Sequence, residues 1–232
     1  MSIVNTTYFQ QGTLLIPNND NIVVQVPGVP NSGSDLQFFI DIYERYLLIN
    51  ALGITLYNEL QAALLLLPFN EEATETAPQK WIDLVNGKDY TISGKSYRWD
   101  GLTGMNSQSL IAFYIYCQYL RNNQSIYTTG GVVLTDSANS INVDPTPKYI
   151  FSYNNFVNKY QGELSDCYNR NNNPNIIINT SGNVGLDYYG KRENNFSNLY
   201  QYLTDQNTLD PTSFPDFNLH FKFYYRENTF GI

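Results

Sequence analysis

DLQFFIDIYERYLLINALGITLYNELQAALLL, residues 35–66, is the stretch on which the fold turns. Leu36, Phe39, Ile40, Tyr43 and Leu47 follow one another at i, i+3, i+4, i+7 and i+11, the spacing of one apolar helix face. Phe38, Ile42 and Ile49 form a second face. Two apolar stripes call for contact on two sides, either because the helix is central to a bundle or because one side meets a neighbouring subunit. Ser34 or Asp35 can cap the free amides of the first turn. Gly53 breaks the helix, and a second helix is predicted from Thr55 to Leu66, ended by Pro68.

Working outward, Thr76–Val85 reads as a short third helix with Pro78 in its first turn, Trp81, Leu84 and Val85 inward, and Gly87 as its stop. Lys88–Ile92 and Lys95–Trp99 flank Ser93-Gly94, the pattern of a β-hairpin. Ser107–Leu120 is apolar or aromatic nearly all round, as befits a helix buried inside a bundle. Thr128–Val143 reads as an extended loop or second hairpin with Val132, Val133 and Leu134 as its first strand. The longest helix is predicted from Pro147 to Arg170, striped by Tyr149, Tyr153, Phe156, Tyr160, Leu164 and Cys167 and stopped by Asn171–Asn175 with Pro174. Beyond it come a short strand at Ile176–Ile178, a small helix within Asn195–Thr204 and an aromatic strand at Phe214–Tyr225.

Before the helices, Tyr8–Ile16 and Ile22–Val26 read as two strands around the turn-rich Pro17–Asn21. They are either a capping hairpin or an arm laid on a neighbouring subunit. The expected fold is mainly α: a small bundle of four to five helices with β-hairpin insertions and extended N- and C-terminal arms. Residues 1–33 form the N-terminal arm, 34–172 the helical core and 173–232 the C-terminal segment of one single-domain unit.

Charged residues make up 15% of the chain, against about 25% in ordinary domains. Asn (about one residue in eight) and 20 Tyr supply the polarity instead. A net charge of −8, with 13 basic residues against 21 acidic ones, argues against gripping phosphates, which requires Lys and Arg to release counterions. The sequence has no basic start leading to an apolar core and no run long enough to span a bilayer, so a soluble, intracellular protein is expected.

Chemistry is hard to assemble from these residues. His220 is the only histidine, placed by strand alternation opposite Leu219 and Phe221, on the solvated face. Cys117 and Cys167 lack CxxC spacing and read as buried thiols. Residues 185–192 approach a phosphate loop, but Arg192 stands where a hydroxyl must reach Mg²⁺. Asp136, Asn139, Asn142 and Asp144 lack the Gly and closing Glu of a calcium loop. Glu71, Glu72 and Glu75 are the basis of a glycoside-hydrolase alternative, since paired carboxylates do that chemistry. Trp81 and Trp99 are the candidate platforms for a carbohydrate- or receptor-binding module. The expectation is a protein that is not an enzyme, with no catalytic, cofactor-binding or metal-ligating residues.

Tyr brings contact area with a polar handle, which suits protein interfaces. The order of parts then resembles the head–tail connector (adaptor) proteins of tailed bacteriophages. The resemblance rests on Tyr43-Glu44-Arg45-Tyr46-Leu47 leading to Leu52-Gly53-Ile54-Thr55-Leu56-Tyr57-Asn58-Glu59-Leu60. It also rests on Trp99-Asp100-Gly101-Leu102 before an aromatic helix and on Thr129-Gly130-Gly131-Val132-Val133 before the long helix. The ending Glu227-Asn228-Thr229-Phe230-Gly231-Ile232 is similar too, and the Asn- and Tyr-rich composition resembles the crAss-like phages. It implies a virion protein made in the bacterial host cytoplasm. A homo-oligomeric ring of about a dozen copies would join the portal protein to tail or other connector proteins. DNA would only pass through, and an acidic wall would repel its phosphates. No membrane is implied, nor any cofactor. Phe38, Ile42, Ile49, Tyr224, Tyr225, Phe230 and Ile232 are the candidate subunit or portal interface.

Overall fold

The structure is a computed structural model that describes residues 1–16, 35–123, 125–128, 131–134, 146–161, 195–215 and 217. Its described residues form five α-helices and two antiparallel hairpins, a mainly helical bundle as expected. Helix α1 spans Asp35–Ala63, and Gly53 (φ 80°, ψ 162°) divides it into two helical segments. That backbone lies in a region open essentially to glycine alone, so the break is written into the residue. The second segment stops at Ala63, three residues earlier than predicted. Leu67 N–H then reaches Glu75 O, and Ala77 N–H reaches Leu67 O, closing the connecting loop on itself.

Helix α2 spans Gln79–Asn86 rather than starting at Thr76. Pro78 disfavours helical backbone at Ala77, which pushes the start beyond the proline. Strands β1 (Lys88–Ile92) and β2 (Lys95–Trp99) pair antiparallel, with Ile92 opposite Lys95. Ser93 and Gly94 both have positive φ (50° and 74°), as a type I′ turn requires. Lys88 Nζ lies 2.7 Å from Asp83 Oδ2 and ties the hairpin to α2.

Helix α3 spans Leu110–Asn123 and packs between α1 and α4, the latter spanning Thr146–Tyr160. Every residue from Leu110 to Cys117 is buried, as the all-round apolar sequence predicts. The helix starts three residues later than the predicted Ser107 because Ser109 is its cap. Ser109 Oγ accepts from Ile111 N–H at 3.0 Å and donates to Leu102 O. Replacing this buried serine by alanine is expected to cost about 1–2 kcal/mol in urea unfolding, the usual loss for a helix cap.

Aromatic rings join the three helices. Phe39 of α1 meets Tyr119 of α3 edge-on at 5.5 Å, and Tyr114 of α3 meets Phe156 of α4 at 5.0 Å. Such pairs add roughly 0.5–1.5 kcal/mol each beyond burial. Phe156 and Tyr160 of the predicted α4 stripe are buried, while Tyr149 and Tyr153 stack on each other, half-buried, at 5.8 Å. The predicted extension of this helix, from Gly162 to Arg170, lies outside the described residues.

Strands β3 (Ser125–Thr128) and β4 (Gly131–Leu134) form the second hairpin. Val132–Leu134 is thus its second strand, not its first; the hairpin begins directly after α3. Helix α5 spans Leu199–Leu209, and Asn198 and Gln201 form a reciprocal capping box at its start. Tyr202 of α5 stacks on Trp99 at 5.3 Å and 16°. Tyr90 OH donates to the buried Asp205 at 2.7 Å and lies 2.6 Å from Ser197 Oγ. Phe214, at the start of the predicted aromatic strand, sits buried in a turn and packs edge-on against Trp81 at 5.5 Å.

The N-terminal residues differ most from expectation. Tyr8–Ile16 is no strand: Thr6–Phe9 and Gly12–Leu14 form two 3-10 turns, the first capped by Asn5 Oδ1 accepting from Thr7 N–H at 3.0 Å. Val4, Phe9, Leu14 and Ile16 are buried against the bundle, so the segment covers its own subunit's core. Ile22–Val26 and Ile176–Ile178 lie outside the described residues.

Candidate interaction surface

The inward face of the first α1 segment carries Leu36, Ile40, Glu44, Leu47, Leu48 and Ala51, all buried. On the far side stand Phe38, Ile42 and Tyr46, spaced four residues apart and therefore aligned along one helix face. Their side chains are 62%, 44% and 48% exposed. Ile49 continues the line and is half-buried. Phe38 is propped edge-on against Phe39, whose own ring stacks on Tyr43 at 5.5 Å. Asp41 and Arg45, both exposed, border this stripe along one edge. A contiguous apolar stripe with a polar rim is the surface pattern of a docking site.

Tyr46 was not among the sequence candidates, although its place eight residues after Phe38 puts it on the same line. Tyr224, Tyr225, Phe230 and Ile232 lie outside the described residues. So do Cys167, the phosphate-loop-like residues 185–192, the Asp136–Asp144 group and His220.

The other candidates fall as follows. Trp81 and Trp99 are both buried, each 2% exposed, and Trp99 Nε1 donates to Leu84 O at 2.9 Å. Neither ring is available to stack on a sugar. Glu71, Glu72 and Glu75 are exposed on the outside of a turn, with Asn70 Oδ1 accepting from Glu72 N–H. Cys117 is a buried thiol whose Sγ lies 3.9 Å from Tyr149 O. Among the described residues no group of three or more His, Cys, Asp and Glu side chains could hold a metal ion, and no helix is long and apolar enough to cross a membrane.

Two further charged groups were missed, the buried Glu44 and the half-buried Lys159. Glu44 is only 3% exposed, and its two oxygens accept from Ile3 N–H (2.8 Å) and Val4 N–H (3.0 Å). Burial pushes its carboxyl up to about 7, against the opposing pull of those two amides and the Met1 ammonium; Asp41 adds to the rise. Its burial, though not its role, was readable in the sequence, since Glu44 follows Ile40 by one turn on the buried face. Lys159 of α4 lines a cavity of about 20 Å³ with Trp99, Asp100, Leu110 and Ser197. Burial lowers the Lys159 ammonium, and the nearby Asp100 partly restores it. That volume holds about one water molecule, not a substrate. Asp100 is itself paired with Arg98 at 3.3 Å.

Comparisons with protein-family models, with curated proteins and with solved structures find no match to this chain.

Proposed function

We propose that this chain is a structural assembly subunit that docks on other protein subunits, and that it builds a ring-forming head–tail connector of a tailed bacteriophage. The ring joins portal to tail in the virion and leaves a channel for DNA. The observation that supports docking is the solvent-facing stripe of Phe38, Ile42 and Tyr46 on a helix whose opposite face already fills the core. Water contact of that size is relieved when a second protein surface covers it. The connector assignment rests on the motif order to which the sequence is similar. A ring needs two different patches on each copy, joined head to tail. The stripe is one of them, and Tyr224, Tyr225, Phe230 and Ile232 remain candidates for the other.

Electron microscopy of the purified protein, alone and mixed with portal rings, tests this reading. Ring-shaped particles or portal-bound density are expected; monomers under both conditions would contradict it. A Phe38→Glu/Ile42→Glu variant is expected to weaken self-association by roughly 30-fold or more, the scale of one lost interface anchor. Because both side chains are exposed, its free energy of unfolding in urea should stay within about 0.5 kcal/mol of the parent. A large loss of stability would show that the stripe serves the fold instead.

A further inference from the structure

The N-terminal segment is held to α1 by an unusual anchor. Val4 and Phe9 are fully buried, Leu14 and Ile16 nearly so, and the backbone entering this apolar run must place its amides somewhere. Ile3 and Val4 place theirs on the two oxygens of one side chain, Glu44, at 2.8 and 3.0 Å. Glu44 has no Lys or Arg within ion-pair distance among the described residues. The charged and titratable groups facing it are Asp41 and Tyr57 on its own helix and the Met1 ammonium and Tyr8 on the docked segment. The Met1 ammonium makes its hydrogen bond to Gln61 Oε1 at 3.1 Å, and Asp41 is a like charge.

We infer that docking of residues 3–16 onto α1 takes up a proton at Glu44, making the segment a strap that tightens in mildly acidic solution and loosens as pH rises.

The physical cause is the exchange of water for two amides. With the strap lifted, the Glu44 carboxylate faces solvent and ionises in the ordinary range. With the strap down, water is excluded and two neutral donors replace it, while the Met1 ammonium, hydrogen-bonded to Gln61 rather than to Glu44, offsets the charge only in part. A proton on one oxygen removes the charge, while the other oxygen still accepts fully from one amide. The neutral form is therefore the one that the docked state prefers. Because the docked-state value is raised, the contribution to docking is complete below the ordinary carboxylate value and is lost as pH rises through the raised one.

Amide hydrogen exchange of Ile3 and Val4, expressed as protection relative to the intrinsic rate at each pH, tests the strap in the full chain. A rise from 4.5 to about 7 corresponds to protection roughly 30-fold higher at pH 5.5 than at pH 8. Glu44→Gln, which carries no charge at either pH, should show equal protection at both. Parent protection that is equal at both pH values or greater at pH 8 would overturn the strap, as would the same pH dependence in Glu44→Gln. If that variant does not fold, a ¹³C titration of the parent's Glu44 carboxyl decides: a midpoint near 7 supports the strap and an ordinary one refutes it.

Discussion

Gly87→Ala is expected to lower unfolding stability by about 4 kcal/mol, from two independent effects. Gly87 closes α2 at φ 92° and ψ 161°, a backbone region that side-chain-bearing residues avoid at a cost of roughly 1–3 kcal/mol. A Cβ there would also lie 2.6 Å from Trp99 O and 2.8 Å from the Asp100 carbonyl carbon. Both neighbours are backbone, so no side chain can swing aside, and forcing them apart adds about 1–3 kcal/mol. The segments that meet here are stitched by Leu102 N–H to Leu84 O (3.0 Å) and Thr103 N–H to Val85 O (3.1 Å), so the displacement would be felt by both. Gly53→Ala isolates the first effect: its φ is also positive (80°), but a Cβ would have no atom within 4 Å. Urea unfolding should rank Gly53→Ala at about 2 kcal/mol and Gly87→Ala near twice that. Equal losses would show that the close approach at Gly87 relaxes freely.

Trp99→Ala is the other large expected effect, also about 4 kcal/mol, because truncating a buried Trp removes transfer energy and leaves a cavity. Trp99 ends β2, stacks on Tyr202 of α5 and hydrogen-bonds Leu84 O just before α2 ends. It is the ring on which hairpin, α2 and α5 converge. Trp99→Phe keeps a ring against Tyr202 and gives up the indole N–H. Leu84 O would still accept from Leu102 N–H, so no orphaned carbonyl results. That variant should lose only about 1–2 kcal/mol beyond the change in ring size. If the two substitutions prove equally costly in urea unfolding, the hydrogen bond rather than the stacked ring holds this junction.

Much of the helical architecture was legible because it rests on local, periodic signals. The all-round apolar run at Leu110–Cys117 could only be a buried helix, and Ser93-Gly94 set the register of the first hairpin through its turn type. Gly53 marked the break in α1. Boundaries moved where one or two side chains decided the matter: Pro78 delayed α2, Ser109 capped α3, and Asn198 with Gln201 set the start of α5.

The N-terminal segment was misread for a different reason. Val4, Phe9, Leu14 and Ile16 follow neither a two-residue nor a 3.6-residue period, because two 3-10 turns carry them into the core one at a time. Tertiary burial, not local propensity, shapes that stretch. Of the surface, the second stripe on α1 was readable from spacing, but only the structure places Phe38 and Ile42 in solvent and adds Tyr46 to them. Glu44 was passed over because a lone acid on an apolar face acquires meaning only from Ile3 and Val4, some forty residues away.

We propose that the far face of α1 is a docking surface between subunits. Sedimentation velocity of the purified protein over a wide concentration range, run beside Phe38→Glu/Ile42→Glu, tests it most directly. The parent is expected to form defined species at multiples of 26.6 kDa while the folded variant remains at that single mass. A parent that stays at 26.6 kDa at every concentration, or a variant that assembles as the parent does, would contradict it.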